Sequence, residues 1–377
     1  MKDVKTIGID ARFWGEAGPG RYVSNLVKEL EKLDKENNYF IFLTPKGFKD
    51  YKPQNKNFTK VLANYRWYSF AEQLKYPKLL YQYKLDLLHF AQFNMPLLYF
   101  RPFTATIHDM ILHDYPIKKG GWKNQLLYPV KRLGYLVIFW WVARRSRAIV
   151  VPSEDAKKDL ISRMGVSPKK VTVTLEGFDS SLKCSNSGPV LEKYGIKKPY
   201  LLFVGSLYPH KNLKSLVEAF SKLNKSVSLV LVGKESFFSQ KLRQKAEKMG
   251  LTGRVFFPGK KAPQGYVPDD DLLYLYQNAT VFVFPSLKEG FGIPPLEAQA
   301  FGTPVVASNA SCIPEVCGEG ALYFDPNNPT DMAEKMKLIL EDKNLRRVLV
   351  SKGRKNVKKF SWQKMAEQTL EVFNRVS

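Results

Sequence analysis

Short apolar runs alternate with longer segments of helical periodicity along most of this chain, and this alternation restricts the possible folds most strongly. The first run, Thr6–Asp10, leads into a glycine-rich loop at residues 15–20 and then into apolar residues at helical spacing. Further runs lie at residues 39–43, 85–90, 104–107 and 148–151. Parallel strands joined by helices produce this pattern. The sequence therefore predicts an α/β fold with doubly wound parallel sheets.

One break in the alternation divides the chain. Residues 180–198 are rich in Ser, Asn, Gly and Pro, and the apolar runs resume at Tyr200. We predict a Rossmann-like first domain over residues 1–180, a linker over 181–198 and a Rossmann-like second domain over 199–360. The strands predicted in the second domain are at residues 227–233, 255–259, 281–285, 304–308 and 321–325. Residues 361–377 predict an amphipathic helix that packs back on the first domain.

The chain carries 59 Lys and Arg residues against 35 Asp and Glu residues, a net charge of +24. This excess indicates an anionic partner, which is a nucleic acid, a membrane surface or a phosphorylated ligand. The charge is spread almost evenly over both halves of the chain, so no basic nucleic-acid arm is indicated. We expect no nucleic-acid partner and keep a nucleic-acid-binding module only as a remote alternative.

Three features predict a cytoplasmic location. The three cysteines are too few for a disulfide framework in 377 residues, which favours a reducing compartment. The first residues include Asp3 and Lys5 where a signal peptide needs an apolar core. The most apolar run, residues 133–143, is about half the roughly 20 residues of a membrane-spanning helix and is flanked by basic residues.

Residues 115–153 contain no acidic residue and interleave Lys and Arg with Trp, Tyr and Phe. Aromatic rings suit the headgroup zone of a bilayer, and cations suit anionic lipid. The segment therefore predicts peripheral contact with an anionic membrane, on the inner face of the cytoplasmic membrane. The alternative is a helix that packs into the core and has solvated basic flanks.

Residues 285–297 carry the densest chemical signal. A strand ending at Pro285 leads through Glu289 and a glycine loop to Pro294 and Pro295, which favour the first turn of a helix. The unpaired N–H groups of such a helix start bind phosphate. Glu297 follows just inside the helix, so two carboxylates flank the predicted phosphate site, as the hydroxyls of a sugar nucleotide require. The alternative is that Glu297 stabilises its own helix terminus.

Residues 285–316 (PSLKEGFGIPPLEAQAFGTPVVASNASCIPEV) resemble the signature of retaining glycosyltransferase family 4, with its E-x7-E pair at Glu289 and Glu297. Four further motifs occur in that family's order: GPGRYVSNL from Gly18, TIHDM from Thr106, VVPSEDAKKDL from Val150 and LLFVGSLYPHKNL from Leu201. The likeness is greatest to mannosyltransferase-like members. It implies the GT-B fold, two Rossmann-like domains facing across a cleft, with the acceptor bound by the first domain and the donor by the second.

The resemblance also implies roles for individual residues. Glu289 would contact the donor sugar, Glu297 the ribose, and Lys211 the departing diphosphate. The backbone N–H groups at the glycine loop would bind the sugar and diphosphate; they belong to Phe291, Gly292 and Ile293. The remaining implied contacts are His108 from the first domain, Gly18 and Gly20 near the donor, and Val267 in the base-contacting loop at residues 265–267. Apart from the resemblance, Asp109 beside His108 is a secondary candidate that would orient its imidazole or face the acceptor.

Two positions depart from the family pattern. Ser206 and His210 stand where family members often have arginines that bind phosphate. The phosphate clamp then depends mainly on Lys211, and a protonated His210 would add to it. The alternative for His210 is a solvent-exposed loop histidine.

Other candidates carry weaker signals. His89 and His113 lie near strand ends, where a histidine is more often structural. Asp109 is equally typical of a turn. The run at residues 269–271 contains an Asp-x-Asp pattern, but its position after Pro268 favours a helix start over a metal site.

The sequence thus predicts a glycosyltransferase that acts without a metal or other cofactor. It would move a hexose, foremost mannose from GDP-mannose, to a glycan or lipid-linked glycan. Alternatives are a UDP-sugar or dTDP-sugar donor, and a sugar-nucleotide epimerase or hydrolase with the same fold.

Overall fold

The computed structural model describes residues 4–16, 18–116, 122–179, 189–262 and 265–376, and for residues 122–127 the backbone alone. The chain forms two compact units. Unit 1 comprises Met1–Met110, Ile117–Gly177 and Ser361–Ser377, and unit 2 comprises Ile111–Pro116 and Phe178–Phe360. The linker predicted at 181–198 lies partly outside the described residues, and its later part contains a short helix of unit 2.

Unit 1 is built on a seven-stranded parallel sheet in the order β3-β2-β1-β4-β5-β6-β7. Its strands are β1 (Thr6–Asp10), β2 (Asn38–Leu43), β3 (Phe58–Leu62), β4 (Leu87–Phe90), β5 (Phe103–Thr106), β6 (Ala148–Val151) and β7 (Val171–Val173). Its helices are α1 (Gly18–Leu33), α2 (Pro45–Asp50), α3 (Phe70–Leu74), α4 (Tyr76–Gln82), α6 (Trp122–Arg145), α7 (Glu154–Met164) and α16 (Trp362–Val376). In register, Ile9 of β1 lies opposite Ile41 of β2 and His89 of β4.

Local sequence explains how these elements begin and end. Ser153 caps α7 by accepting a hydrogen bond from the backbone N–H of Ala156. The same helix ends at Gly165, whose left-handed backbone conformation (φ 61°) suits glycine. The last helix, α16, packs on α1 and β6 within unit 1.

Unit 2 is built on a six-stranded parallel sheet in the order β10-β9-β8-β11-β12-β13. Its strands are β8 (Tyr200–Val204), β9 (Ser228–Val232), β10 (Val255–Phe256), β11 (Val281–Phe284), β12 (Val305–Ser308) and β13 (Ala321–Phe324). Its helices are α5 (Ile111–Asp114), α8 (Val190–Tyr194), α9 (Leu213–Ser221), α10 (Phe237–Lys248), α11 (Asp269–Asn278), α12 (Ile293–Ala300), α13 (Ile313–Cys317), α14 (Pro329–Glu341) and α15 (Lys343–Asn356). The predicted α/β fold with two parallel sheets is confirmed.

Two close backbone approaches require glycine. A Cβ atom on Gly20 in α1 would lie 2.3 Å from the carbonyl oxygen of Phe13. A Cβ atom on Gly233, just after β9, would lie 2.3 Å from the carbonyl oxygen of Gly205, just after β8. No side chain fits at either distance, so glycine is needed for the loops at the carboxyl ends of these strands to pack closely.

Within the described part of the chain, no helix is both long and apolar enough to cross a membrane.

Candidate active site

The carboxyl ends of β8 and β11, which are neighbours in the sheet of unit 2, bring two predicted site residues into contact. Lys211 lies in a short 3-10 turn, Pro209–Lys211, in the loop after β8, and Glu289 lies in the loop between β11 and α12. The Nζ atom of Lys211 donates to Oε1 of Glu289 at 2.6 Å and to Oε2 at 2.8 Å. The two residues, 78 positions apart in the chain, form one ion pair.

This ion pair is largely withdrawn from water. The side chain of Lys211 is 12% exposed and that of Glu289 is 7% exposed. The ammonium group also lies 5.5 Å from the ring centroid of Phe284, the last residue of β11. Since a buried charged side chain without a partner is costly, each residue of the pair holds the other in place. An ammonium group has three N–H donors, so one is left without a partner among the residues that the structure describes.

The backbone around Glu289 is held by residues that the sequence analysis missed. The N–H of Glu289 donates to Oγ of Ser311 at 3.3 Å, and that hydroxyl donates to the carbonyl oxygen of Glu289 at 3.0 Å. The Sγ atom of Cys312 lies 3.2 Å from the carbonyl oxygen of Phe291. Nothing in the local sequence marks these two residues, because their partners lie 20 or more positions away.

The helix that follows the glycine loop begins as predicted, near Pro294. Helix α12 starts at Ile293, directly after Gly292, whose φ of 105° suits glycine. Glu297 lies in α12 and is buried, and its Oε2 atom accepts a hydrogen bond from the hydroxyl of Tyr276 at 2.9 Å. This contact orients the Glu297 carboxylate from a second helix, α11. Its predicted contact with ribose stays a prediction, as do those of the loop N–H groups.

His210 is buried, so the alternative of a solvent-exposed loop histidine is wrong. The residue is 6% exposed, and its Nδ1 atom has no hydrogen-bond partner among the residues that the structure describes. Burial and, to a smaller extent, the nearby charge of Lys211 lower the pKa of His210 to about 4, while Glu289 opposes the change. Ser206, by contrast, is exposed.

Val267 is half-buried in a loop close to the ends of β9 and β10. Within this loop, the carbonyl oxygen of Gly265 lies 3.3 Å from where a Cβ of Gly259 would be. Tyr266 extends outward and contacts the ammonium of Lys234, 4.8 Å from the ring centroid. The described part of the loop therefore packs closely on Gly259 and leaves the ring of Tyr266 exposed.

The acidic run after this loop begins α11, which confirms the predicted helix start. Asp271 is buried and accepts hydrogen bonds from the hydroxyl of Tyr194 at 2.7 Å and from Nζ of Lys193 at 2.6 Å. In the described ranges, no group of three or more His, Cys, Asp or Glu side chains is placed to hold a metal ion.

In unit 1, His108 lies just beyond β5 with both ring nitrogens engaged. Nδ1 lies 3.1 Å from Oε1 of Glu176, and Nε2 lies 3.0 Å from the carbonyl oxygen of Ala91. Both partners only accept hydrogen bonds, so both nitrogens donate and the ring is an imidazolium. Burial alone would lower the pKa of His108, but the hydrogen bond and charge of Glu176 outweigh it and raise that pKa.

A second histidine of unit 1, His89, is buried in β4. His89 bridges two threonines of β5, with Nδ1 3.0 Å from the hydroxyl of Thr104 and Nε2 3.2 Å from that of Thr106. Burial and, to a smaller extent, the charge of His108 lower the pKa of His89 to about 3. The neutral ring of His89 fits the structural role that its strand position indicates. The hydroxyl of Tyr22 on α1 also bonds Thr106, at 2.9 Å.

The other predicted residues of unit 1 lie close by in the chain. Gly18, exposed, is the first residue of α1, and Gly20 is buried two positions later, so both lie in the first turn and not in a loop. Asp109 follows His108 directly, and its charge adds to the increase in the pKa of His108 and of Tyr68. The donor contacts predicted for Gly18 and Gly20 stay predictions, as does the predicted role of Asp109 beside His108 or the acceptor.

A buried charge cluster at the ends of β1 and β4 escaped the sequence analysis. The guanidinium of Arg12 donates from Nη2 to Asp10 at 2.7 Å and forms an ion pair with Glu72 at 2.9 Å. It also lies 4.1 Å from the ring centroid of Tyr76. Asn94 completes the cluster by donating to Glu72. The cluster joins residues 10 and 12 to residues 72, 76 and 94, far away in the sequence, so no local motif reveals it.

Comparison with known proteins gives consistent results. The family model described as Glycosyltransferase Family 4 matches residues 17–182, and that described as Glycosyl transferases group 1 matches residues 191–356. O-antigen chain mannosyltransferase B of Escherichia coli is 30% identical over 380 residues, which cover 94% of this chain and 95% of that protein. O-antigen chain mannosyltransferase RfbU of Salmonella typhimurium is 28% identical, covering 76% of this chain and 73% of that protein.

Solved structures agree on the fold. Anabaena HepE in complex with UDP-glucose matches with a TM-score of 0.76 at 17% identity, covering 98% of this chain and all of that chain. The two family models, and the relative that is 30% identical over nearly the full length, all indicate the same protein family. The chain belongs to glycosyltransferase family 4, and it is a glycosyltransferase with the GT-B fold.

Proposed function

We propose that this glycosyltransferase transfers mannose from GDP-mannose to a glycan or lipid-linked glycan, with retention of configuration and without a metal. The observation that carries the proposal is the buried pair of Lys211 and Glu289 beside the start of α12. A glycine loop, a helix start and a lysine with one unused N–H form a site suited to a diphosphate. The carboxylate beside them suits the hydroxyls of a sugar.

The choice of mannose rests on the relatives. O-antigen chain mannosyltransferases of Escherichia coli and Salmonella typhimurium are named for mannose transfer. A UDP-sugar donor is the main alternative, because the similar Anabaena HepE has been solved with UDP-glucose bound. A dTDP-sugar donor, and a sugar-nucleotide epimerase or hydrolase, are further alternatives that the test below distinguishes.

In the proposed reaction, the bond between the anomeric carbon and the β-phosphate oxygen breaks, and the nucleoside diphosphate leaves with the electron pair. The acceptor hydroxyl attacks the same face of the sugar, and its proton passes to the leaving diphosphate. Lys211 stabilises the charge that develops on the diphosphate, where an electrostatic contact lowers the barrier most. Glu289 orients the sugar through its hydroxyls.

The test measures release of nucleoside diphosphate from GDP-mannose, UDP-glucose, UDP-N-acetylglucosamine and a dTDP-sugar. Each donor is assayed with and without a lipid extract as acceptor, in the presence of chelator and of added metal. Release from GDP-mannose that increases with the extract and persists in chelator supports the proposal. Release from another donor, or release that does not depend on the extract, contradicts the proposed donor or the transfer reaction.

Variants connect this activity to the site. Glu289→Gln and Lys211→Met each remove one charge of the buried pair, and we expect at least a hundredfold loss of turnover, typical of losing one stabilising contact in a transition state. The matched control is Glu319→Gln, because Glu319 forms a largely exposed ion pair with Lys352 at 3.1 Å in the same unit. Full turnover in Glu289→Gln would refute the site.

We further propose that α6 attaches the protein to an anionic membrane surface on the cytoplasmic side. One face of α6 buries Tyr135, Ile138, Phe139 and Val142 in the core. Apolar residues at helical spacing remain 43–69% exposed elsewhere on the helix: Val130, Leu133, Val137 and Trp140. Exposed basic residues flank them, including Lys131, Arg144 and Arg145. Such a combination suits a lipid headgroup layer.

Sedimentation with vesicles tests this attachment. We expect the intact protein to pellet with vesicles that contain anionic phosphatidylglycerol and to stay in solution with neutral phosphatidylcholine. The double variant Leu133→Gln/Trp140→Gln would lose binding, whereas Val348→Gln, a similarly exposed apolar residue on α15 of unit 2, would keep it. Equal and negligible binding to both vesicle types would refute the attachment.

A further inference from the structure

The imidazole of His210 is a buried polar group that the proposed reaction leaves unused. Its Nδ1 atom is enclosed without a hydrogen-bond partner in the parts of the chain that the structure describes. The backbone of His210 is fixed, because its carbonyl oxygen accepts a hydrogen bond from the N–H of Leu287 at 2.8 Å. This contact joins the loop after β8 to the loop that carries Glu289.

The groups that face His210 come from three segments. Lys211 neighbours it in the same turn, and Glu289 acts on it from the loop after β11. The ring of Tyr115, from residues 111–116, lies 6.3 Å away between centroids, and that of Tyr208 lies 6.2 Å away. Lys288 and Asp114 form a neighbouring ion pair at 2.7 Å. Their opposite charges cancel, so this pair adds no net charge near His210.

Charge balance shows what this site lacks. The ammonium of Lys211 is matched by the carboxylate of Glu289, so the pair is neutral overall. The diphosphate of a sugar nucleotide brings two negative charges into a place that is mostly closed to water. The serine at position 206 contributes no charge to offset them. A cation is therefore missing when the donor binds.

We infer that His210 takes up a proton when the diphosphate of the sugar nucleotide binds, and that its imidazolium supplies the missing positive charge. The inference rests on the proposed function, since it requires a sugar-nucleotide donor in this unit. It makes His210 a donor-binding residue whose charge exists only in the complex.

The size of the effect follows from simple electrostatics. In the free protein the pKa of His210 is lowered to about 4 by burial and by Lys211, so the ring is neutral near pH 7. A negative charge of the diphosphate about 4 Å from the imidazole would raise the proton-binding constant of His210 roughly a thousandfold, at an effective dielectric constant near 20. The pKa of His210 in the complex would then be raised well above its value in the free protein, towards neutral pH. Because the proton is favoured in the complex, binding weakens as pH rises, by about tenfold between pH 6 and pH 8.

Isothermal titration calorimetry of the full chain with GDP-mannose tests the inference. Sugar nucleotides suit this test because their phosphates carry no proton near neutral pH, so the ligand does not contribute to the proton balance. Titrations at pH 6 in buffers of different ionisation enthalpy give the number of protons taken up. We expect close to one proton per donor bound at pH 6 and almost none at pH 8.

Two substitutions assign the proton to His210. In His210→Gln, uptake at pH 6 should disappear and affinity should fall about tenfold. In His210→Arg, uptake should also disappear, while affinity stays high and becomes independent of pH because the charge is permanent. His113→Gln is the matched control and should keep the uptake of the unmodified protein. Thermal unfolding of each variant shows whether it is folded.

Three results would overturn the inference. One is donor binding without proton uptake between pH 5 and pH 7, and another is uptake that persists in His210→Gln. The third is His210→Arg binding the donor with the pH dependence of the unmodified protein. A protein that binds neither GDP-mannose nor UDP-glucose at any pH contradicts the proposed function itself, and the inference then falls with it.

Discussion

Replacing Glu176 with glutamine tests the charge state of His108. In the unmodified protein the imidazolium donates to Glu176 at 3.1 Å and to the carbonyl oxygen of Ala91 at 3.0 Å. Glutamine has nearly the same shape, and its amide group donates to Nδ1 of a neutral imidazole. Nε2 then keeps its proton and its bond to Ala91. The variant therefore removes the charge and leaves both hydrogen bonds in place.

The expected cost follows from the difference between charged and neutral hydrogen bonds. A bond to a charged group contributes about 1.5–3 kcal/mol and a neutral one about 0.5–1.5 kcal/mol. Glu176→Gln should thus lower the free energy of unfolding of unit 1 by about 1–2 kcal/mol near pH 6. Because folding raises the pKa of His108, this stabilisation is fully present below the unfolded value of about 6.5 and is lost as pH rises through the folded value.

The tryptophans give this prediction a selective assay. All six lie within the ranges of unit 1, so their fluorescence in urea follows that unit alone. Unfolding curves of Glu176→Gln and the unmodified protein are compared from pH 5.5 to pH 8.5. NMR of labelled histidines, of which the chain has four, follows the titration of His108 directly.

Two outcomes decide the question. The imidazolium is supported if the loss of unfolding free energy in Glu176→Gln becomes smaller with rising pH and the pKa of His108 is lower in the variant. A deficit that is the same at every pH, or an unchanged titration of His108, refutes it. The control is Glu36→Gln, an exposed residue of the same unit, which should change neither quantity.

Three shorter predictions concern other contacts. Tyr276→Phe removes the hydroxyl bound to Glu297 at 2.9 Å, so donor KM should rise about fivefold with little change in kcat, measured by initial rates. Gly233→Ala forces a Cβ to within 2.3 Å of the Gly205 carbonyl, which should destabilise unit 2 by about 1–3 kcal/mol in urea unfolding followed by circular dichroism. Arg12→Met leaves buried carboxylates unpaired, which should cost unit 1 about 3–5 kcal/mol in the fluorescence assay.

The sequence was most informative where strands are fully buried. The central strands β1, β4, β5 and β8 are almost wholly buried, and each was predicted within one or two residues at either end. The missed strands, β3 and β7, form the two edges of the sheet in unit 1. An edge strand is partly exposed and carries polar residues, such as Lys60 in β3, so the apolar pattern is lost. Strand β10, also at an edge, ends at Phe256, earlier than predicted.

The candidate site was predictable only where its residues share a motif. The loop from Glu289 to Glu297 and the turn with Lys211 follow from patterns that are contiguous in sequence. Glu176, Ser311 and Tyr276 were not identified, because each meets its partner through the order of strands in a sheet and lies 20 or more positions from it. The burial of His210 could not be predicted either, because a short loop sequence does not show which residues pack over it.

Three groups of buried charges in the described part of the chain stabilise the fold less efficiently than apolar side chains of similar volume would. Apolar groups of similar volume often fill such positions at equal or lower cost, so a buried ion pair is weak evidence for a role in stability. In both units, however, these charges cluster at the carboxyl ends of strands, the edge where α/β sheets bind ligands. The pairs concerned are Arg12 with Asp10 and Glu72, His108 with Glu176, and Lys211 with Glu289. We propose that each holds a charged group in place for a charged ligand, because a ligand is bound most strongly where the protein is already ordered around the charge. On this proposal, ligand binding accounts for the position of these three groups of charges better than folding does.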